Sequence, residues 1–294
     1  MVYLLSGQMI TKIKMFSGRL ANQIRLMRDL PKVRKLFPRK QVEPIIKYNR
    51  DTLNLVDKWM DNTVYQESIF KYGIPEYVKH LIDHDIGQEM TYSDAILYLS
   101  SRLNKKIEYL EIGVSAGKNF LQVINFWKDS YITGFDIEKI NPVLENFLVF
   151  KDRITWLTIS DSDKKEDSSL TKYHDPKNNN LVTYISGDVF DENSWKCLSG
   201  KKFNIIFSDA LHCPKALLYE WEMIKKYDLL DRDEFVIFWD DLGGEMEKSF
   251  VEIWTEISQM YNLSNHHKVR VKLNGWLGLK VHQIGIIMNF NNDE

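Results

Sequence analysis

The residues best placed to do chemistry in this chain are carboxylates at the ends of strand-like runs: Glu111, Asp136, Asp188, Asp209 and the adjacent pair Asp240-Asp241. In an open α/β sheet, ligands bind beyond the carboxyl ends of the strands, so acids at those ends face a common crevice. Asp209 lies in Ser208-Asp209-Ala210-Leu211-His212, and the pair lies in Phe238-Trp239-Asp240-Asp241, one run later. Three carboxylates converging from two neighbouring strand ends make an oxygen-rich site of the kind Mg²⁺ or Ca²⁺ prefers. Without a cation or a proton they would repel one another. Each acid taken singly has a plainer use, because a strand-ending Asp often caps the next turn, and Asp240 or Asp241 could do so at Gly243-Gly244. His212, three residues after Asp209, is of the side-chain type that suits a general base; the other reading is an ordinary loop histidine beside Cys213 and Pro214. Cys213 lies near this chemistry, but no base and orienting group accompany it in the manner a nucleophile needs.

A second feature stands upstream. The run Ile107-Glu108-Tyr109-Leu110-Glu111-Ile112-Gly113-Val114-Ser115-Ala116-Gly117 reads as a buried strand ending in an acid, then a glycine-bracketed turn, with a helix opening at Lys118. Glycines let backbone approach a ligand closely, and the N–H groups of the turn and helix start face it. The spacing is G-x-x-x-G and not G-x-G-x-x-G, which argues against a dinucleotide site. A later strand-like run, Ile132-Thr133-Gly134-Phe135-Asp136, ends in another acid.

Together, Glu-x-Gly-x-x-x-Gly and the later strand-ending Asp resemble the cofactor site of class I S-adenosylmethionine-dependent methyltransferases, over roughly Ile107 to Asn289. The resemblance implies that Glu111 and the loop residues Gly113, Ser115 and Gly117 hold the methionine portion and ammonium of S-adenosylmethionine. Asp136, with Ile137 beside it, would take the ribose hydroxyls. Asp188 would meet the adenine amino group, with Val189 or Phe190 along the ring, and Asp209 would border the cofactor. An Asp followed one strand later by an acidic pair looks like the metal site of macrocin-type sugar O-methyltransferases. It is close to that of catechol-type O-methyltransferases, where the pair is Asp-Asn and a lysine occupies the place of His212. The implied metal ligands are Asp209, Asp240 and Asp241, for Mg²⁺ or else Ca²⁺ or Mn²⁺, with His212 as base and Asp209 as the fallback base. The implied activity is divalent-metal-assisted O-methylation of a small molecule or sugar-containing natural product. Alternatives are metal-independent or nitrogen-directed methyl transfer, and a non-catalytic binding protein that acts through its basic N-terminus.

Elements must position these residues. Alternating patterns give strands near Ile107–Ile112, Tyr131–Ile137, Ile154–Ile159, Leu181–Ile185, Phe203–Phe207 and Phe235–Trp239. Helices are expected at Lys118–Trp127, from Pro142, and around Glu192–Leu198, Pro214–Tyr227 and Glu247–Tyr261. Lys268–Leu273, a Gly275-Trp276-Leu277-Gly278 turn and Val281–Asn289 read as a terminal antiparallel hairpin. The expected fold is therefore α/β: a Rossmann-like, doubly wound, mostly parallel seven-stranded sheet with an antiparallel C-terminal hairpin strand and an N-terminal helical cap. The polar run Ser160–Asn180 is expected to be an exposed, mobile insertion. Met90-Thr91-Tyr92-Ser93 is expected to reach the cofactor. Trp239 and Trp276 are candidate acceptor walls or core residues. His266, His267 and His282 read as surface or structural, with His282 able to face the site across the Trp276 turn.

The domain organisation expected is a basic amphipathic segment over 1–40, a helical cap over 41–104 and the catalytic domain over 105–294. The first 40 residues hold ten Lys/Arg and one acid, a formal +9, so with −2 overall the remainder carries −11. That segment could pack on the acidic remainder of the chain, dimerise it, touch a membrane surface or partner, or be a targeting segment. The net charge gives no reason to expect a nucleic-acid partner. Two cysteines in 294 residues make no disulfide framework, and no apolar run reaches membrane-spanning length. A soluble, cytoplasmic setting is expected.

Overall fold

In the computed structural model the described residues are 24, 27–57, 89–115, 117–159, 165–274 and 281–290. Most of the basic segment, most of the expected cap and the Trp276 turn lie outside them. One nine-stranded sheet organises the rest, in the order β3-β4-β5-β2-β1-β6-β7-β9-β8. The strands are β1 (Glu108–Ile112), β2 (Tyr131–Asp136), β3 (Val149–Ile159), β4 (Lys165–Asp175), β5 (Asn180–Ser186), β6 (Ile205–Ser208), β7 (Val236–Trp239), β8 (Lys268–Asn274) and β9 (Val281–Met288). β5, β2, β1, β6 and β7 are parallel, whereas β9 is antiparallel to both β7 and β8. The Rossmann-like arrangement with an antiparallel terminal hairpin is therefore present.

Alternation along the strands gives the sheet two buried faces. Tyr109, Ile205, Phe207, Val236 and Phe238 join one apolar cluster, and Leu110, Ile112, Ile206, Ile237 and Trp239 join the other. Near-continuous apolar runs are what a sheet covered on both sides requires. The first cluster is roofed by helix α1 (27–36), α2 (Arg39–Asp57), α3 (Tyr92–Ser100) and α4 (Lys118–Phe126). After the single turn α5 (Pro142–Glu145), the second cluster is covered by α6 (Glu192–Lys196), α7 (Pro214–Lys226) and α8 (Met246–Met260). Pro31 lies within α1 and does not end it, while Pro38 separates α1 from α2. The described part of the basic segment packs on its own domain: Val33 and Leu36 lie against the first cluster, and Lys32 Nζ donates to the Arg270 carbonyl at 2.6 Å. Among the described residues no helix is long and apolar enough to cross a membrane.

The polar run differs from expectation. Lys165–Asp175 is a full strand, paired to β3 on one side and β5 on the other. Thr171, Tyr173 and Asp175 alternate inward, and Asn178 and Asn180 beyond them are buried because they satisfy a helix end. Asn180 Nδ2 donates to the carbonyls of Ile124 (2.8 Å) and Trp127 (2.9 Å), and Asn178 Nδ2 to those of Ile124 and Asn125. These carbonyls at the end of α4 have no partner within the helix, so polarity here marks capping and not exposure.

At the start of α3, Thr91 and Asp94 form a capping box. Asp94 is fully buried and accepts from Thr91 N (2.8 Å), Asn49 Nδ2 (2.6 Å) and Arg50 (3.0 Å), which ties α2 to α3 and fixes Tyr92. Asp94→Ala removes a buried charge partner of the Arg50 guanidinium together with the acceptor of Thr91 and Asn49, and should lower unfolding free energy by about 3–5 kcal/mol in urea titrations. Replacing both partners with apolar residues (Arg50→Met with Asp94→Leu) should recover much of that loss.

Candidate active site

Four strand ends leave the sheet at one level. The register pairs Ile112 with Phe135 and with Ser208, and Ser208 with Trp239, so Gly113, Asp136, Asp209 and Asp240 emerge side by side. β9 pairs Gly285 with Trp239 in the antiparallel sense, which brings its beginning, with His282, to the same edge.

The glycine turn is shaped by its neighbours. Gly113 has φ +87°, and a Cβ there would stand 2.4 Å from the Asp209 carbonyl oxygen and 2.5 Å from Ala210 Cα. Only glycine allows β1 and β6 to exit this close together. Gly117, φ +84°, caps α4, where a Cβ would meet Leu144 Cδ1 at 2.3 Å. Ser115 is also left-handed, and its N–H donates to Asp136 Oδ2 at 2.7 Å. Asp136 Oδ1 accepts from Glu138 N at 2.9 Å, so this carboxylate folds the turn onto the end of β2. Burial raises the Asp136 pKa, against the pull of these backbone donors.

Glu111 is 1% exposed and accepts from Tyr109 Oη (2.7 Å) and Asn119 Nδ2 (2.9 Å). Burial pushes its pKa to about 8 in spite of those donors. Asn119 Oδ1, on the first turn of α4, is buried without a hydrogen-bond partner. Asp188 closes a tight turn by accepting from Phe190 N at 2.8 Å, and it is Asp191, not Asp188, that caps α6. Val189 is turned into the core with Trp195, so the residues open to a ring are Ile137, 61% exposed, and Phe190. Val189 is thus packed with the core, 7% exposed.

The acids at β6 and β7 crowd together. Burial first, then the Asp240 charge and a hydrogen bond shared with Asp240, hold the Asp209 carboxyl well above the usual carboxylate range. Asp240 Oδ1 accepts from Asp241 N at 2.6 Å, while Oδ2 stands 2.5 Å from His282 Nδ1. Asp240, Asp241 and His282 each offer one donor atom, all within 4.8 Å of one another; Asp209 is beside this group and outside it. The turn at Gly243 is closed by backbone, Gly243 N to the Asp241 carbonyl, so the carboxylates are not needed for it. His212 is exposed, with Nε2 3.6 Å from Asp209 Oδ1.

Trp239 packs against Phe250 in the core and meets no acceptor. His266 and His267 lie in a short surface turn, whereas His282 is in the site. The residue that sequence reasoning undervalued is Tyr92. Its ring is 5.2 Å from Phe207 and 5.4 Å from His282, and its phenol is pushed up by burial and then by Asp209, Asp240, Glu111 and Asp241. The usable signal was Thr91-x-x-Asp94, a capping box that fixes where Tyr92 starts its helix. The assembled edge offers clustered carboxyl groups, a close-approach glycine turn and an orphaned buried oxygen, a donor set suited to cationic ligands.

Behind this edge, Glu220 on α7 accepts from Ser208 Oγ at 2.6 Å, and burial raises its pKa from 4.5 to about 7. Its neutral form is the one the fold favours, so its contribution is present below pH 4.5 and lost as pH rises through about 7. Glu220→Gln should match wild type near pH 4.5 and exceed it at pH 8 by at least about 2 °C in thermal melts. Gly113→Ala should cost roughly 2–4 kcal/mol by urea denaturation, because both its φ and the Asp209–Ala210 backbone oppose a Cβ.

No protein-family model matches the chain, and no curated protein matches it. Similar solved structures include the O-methyltransferase TomG from Streptomyces achromogenes in complex with SAM, at 11% identity, covering 81% of this chain and 98% of that one, TM-score 0.40. The plantazolicin methyltransferase BpumL in complex with SAH is 12% identical, covering 85% and 99%, TM-score 0.39. A fibrillarin/Nop5p complex is 10% identical, covering 68% and 81%, TM-score 0.37. Likeness at this level leaves function to be argued from the residues of the site.

Proposed function

We propose that this chain is an S-adenosylmethionine-dependent methyltransferase that acts on a hydroxyl of a small molecule with the help of a divalent cation. One observation carries the reading: the glycine turn after Glu111, the ribose-height carboxylate of Asp136 and the Asp209–Asp240–Asp241 group share one strand edge. The resemblance noted in the sequence assigns work to each. Glu111 with Gly113, Ser115 and Gly117 receives the methionine end, Asp136 with Ile137 beside it the ribose hydroxyls, and Asp188 with Val189 or Phe190 the adenine. S-adenosylmethionine supplies an electrophilic methyl on a sulfonium, and a cation held by the acids of β6 and β7 lowers the pKa of a hydroxyl beside it.

The chain's own residues do the remainder. The carboxyl groups of Glu111, Asp209 and Asp240 favour a positively charged ligand over a neutral one, because a cation beside them stabilises their ionised forms. His212 takes the acceptor proton at Nε2, with Asp209 as its neighbour at 3.6 Å. Tyr92, fixed by the Asp94 network, walls the crevice beside Phe207 and His282. Positioning supplies most of the catalysis in an in-line displacement, so a rigid crevice matters more than any single acid or base.

Thermal shift tests this without knowledge of the acceptor. S-adenosylhomocysteine at about 100 times its Kd should stabilise the protein by roughly 2.7 kcal/mol, and NAD should not. Absence of any shift with S-adenosylhomocysteine would sink the proposal. Asp241→Ala should retain that shift and lose the further rise that Mg²⁺ or Mn²⁺ adds; equal metal-dependent rises in variant and wild type would remove the metal from the mechanism.

A further inference from the structure

A cation site built from carboxylates alone leaves out the histidine that stands in it. We propose that His282 is a direct metal ligand, completing with Asp240 and Asp241 a mixed nitrogen–oxygen site that selects a first-row transition ion such as Mn²⁺ over Mg²⁺. The inference rests on the reading of this crevice as a metal-assisted site, and it moves Asp209 from the ligand set to the acceptor side.

Distances carry it. His282 Nδ1 lies 2.5 Å from Asp240 Oδ2 and 3.5 Å from Asp241 Oδ1. Two donors bound at about 2.1 Å to one ion stand roughly 3.0 Å apart at a right angle and about 3.4 Å apart at a tetrahedral one. The observed pair of separations brackets those values, so an ion is accommodated by side-chain shifts of about half an ångström. Asp240 Oδ1 is taken by the Asp241 N–H at 2.6 Å, which leaves Oδ2 as the oxygen presented to His282. Asp241 adopts φ +49°, a left-handed turn that carries its carboxylate to within reach of the same imidazole.

The backbone holds the set from both sides. Leu242 N donates to the Gln283 carbonyl at 2.9 Å, and Gln283 Nε2 donates back to the Leu242 carbonyl at 2.8 Å. The start of β9 is therefore clamped to the segment that carries the two acids. Mg²⁺ favours oxygen ligands and retains its waters, whereas imidazole suits the transition ions, whose affinities rise along the first row from Mn²⁺. A partly buried imidazole at the donor group thus biases the choice of ion. The competing arrangement has His282 donating Nδ1–H to Asp240 and never touching the ion.

Electron paramagnetic resonance with echo-envelope modulation on Mn²⁺-loaded full-length protein separates the two. Wild type should show ¹⁴N coupling from a directly bound imidazole, and His282→Gln should lose it. The ratio of Mn²⁺ to Mg²⁺ affinity, by competition titration, should fall at least about tenfold in His282→Gln, and His282→Asp should favour Mg²⁺. A wild-type Mn²⁺ signal without nitrogen coupling overturns the inference irrespective of how the variants fold, as does an unchanged affinity ratio in His282→Gln. A parallel S-adenosylhomocysteine thermal shift keeps the failures apart. Nitrogen coupling without that shift retires the methyltransferase reading and leaves His282 as a ligand; the shift without coupling does the reverse.

Discussion

Register within one parallel sheet fixes the geometry of this site before any side chain is considered. Once Ile112, Phe135, Ser208 and Trp239 are level, the next residue of each strand has nowhere to go but the same edge. A one-residue slip in any pairing would send an acid into an apolar layer, and the two buried faces make such a slip expensive. The close exit of β1 beside β6 then depends on the missing Cβ of Gly113. Loop, acids and histidine are consequences of a framework held together by apolar layers on both sides.

That framework tolerates an electrostatic cost. Glu111 and Asp209 are both held above ordinary carboxylate values, chiefly by burial, and Glu220 behind them behaves likewise. Partner groups reduce the cost without removing it: Tyr109 and Asn119 on Glu111, backbone donors on Asp136, His282 on Asp240. The elements bearing these groups are otherwise apolar and tightly packed, so the acids are a local departure from the rule that buried charges are paired. Departures of this kind cluster at sites that bind charged ligands, and this one faces the end of the sheet where the fold receives them.

Most of the fold was legible because strand and helix periods are distinct and the strand ends carry acids. The glycine turn at the end of β1 was legible for the same reason, as a glycine pair in a strand–turn–helix setting. Two parts were not. The polar stretch through Asn178-Asn179-Asn180 looked like solvent-exposed chain, since composition does not reveal that the amides of Asn178 and Asn180 reach three carbonyls at the end of a distant helix. Likewise Val189 reads like Phe190 in sequence, yet only the turn made by Asp188 decides that Val189 goes inward. His282 was ambiguous because its role depends on pairing between segments some forty residues apart, and nothing local encodes that.

The terminal hairpin shows how one device serves architecture and chemistry together. A parallel strand beside β7 would have arrived with its carboxyl end at the crevice, after a crossover. The antiparallel β9 arrives with its amino end instead, and so adds a side chain from a direction the parallel strands cannot reach. Its seating depends on Gly285, where a Cβ would stand 2.3 Å from Leu242 Cδ1 and 2.7 Å from the Phe250 ring. Leu242 follows the acidic pair and Phe250 belongs to α8, so the contact that packs α8 onto the sheet also sets the height of β9. His282 is three residues along the same strand, and its distance from Asp240 is therefore governed by core packing more than by the loop that joins β8 to β9.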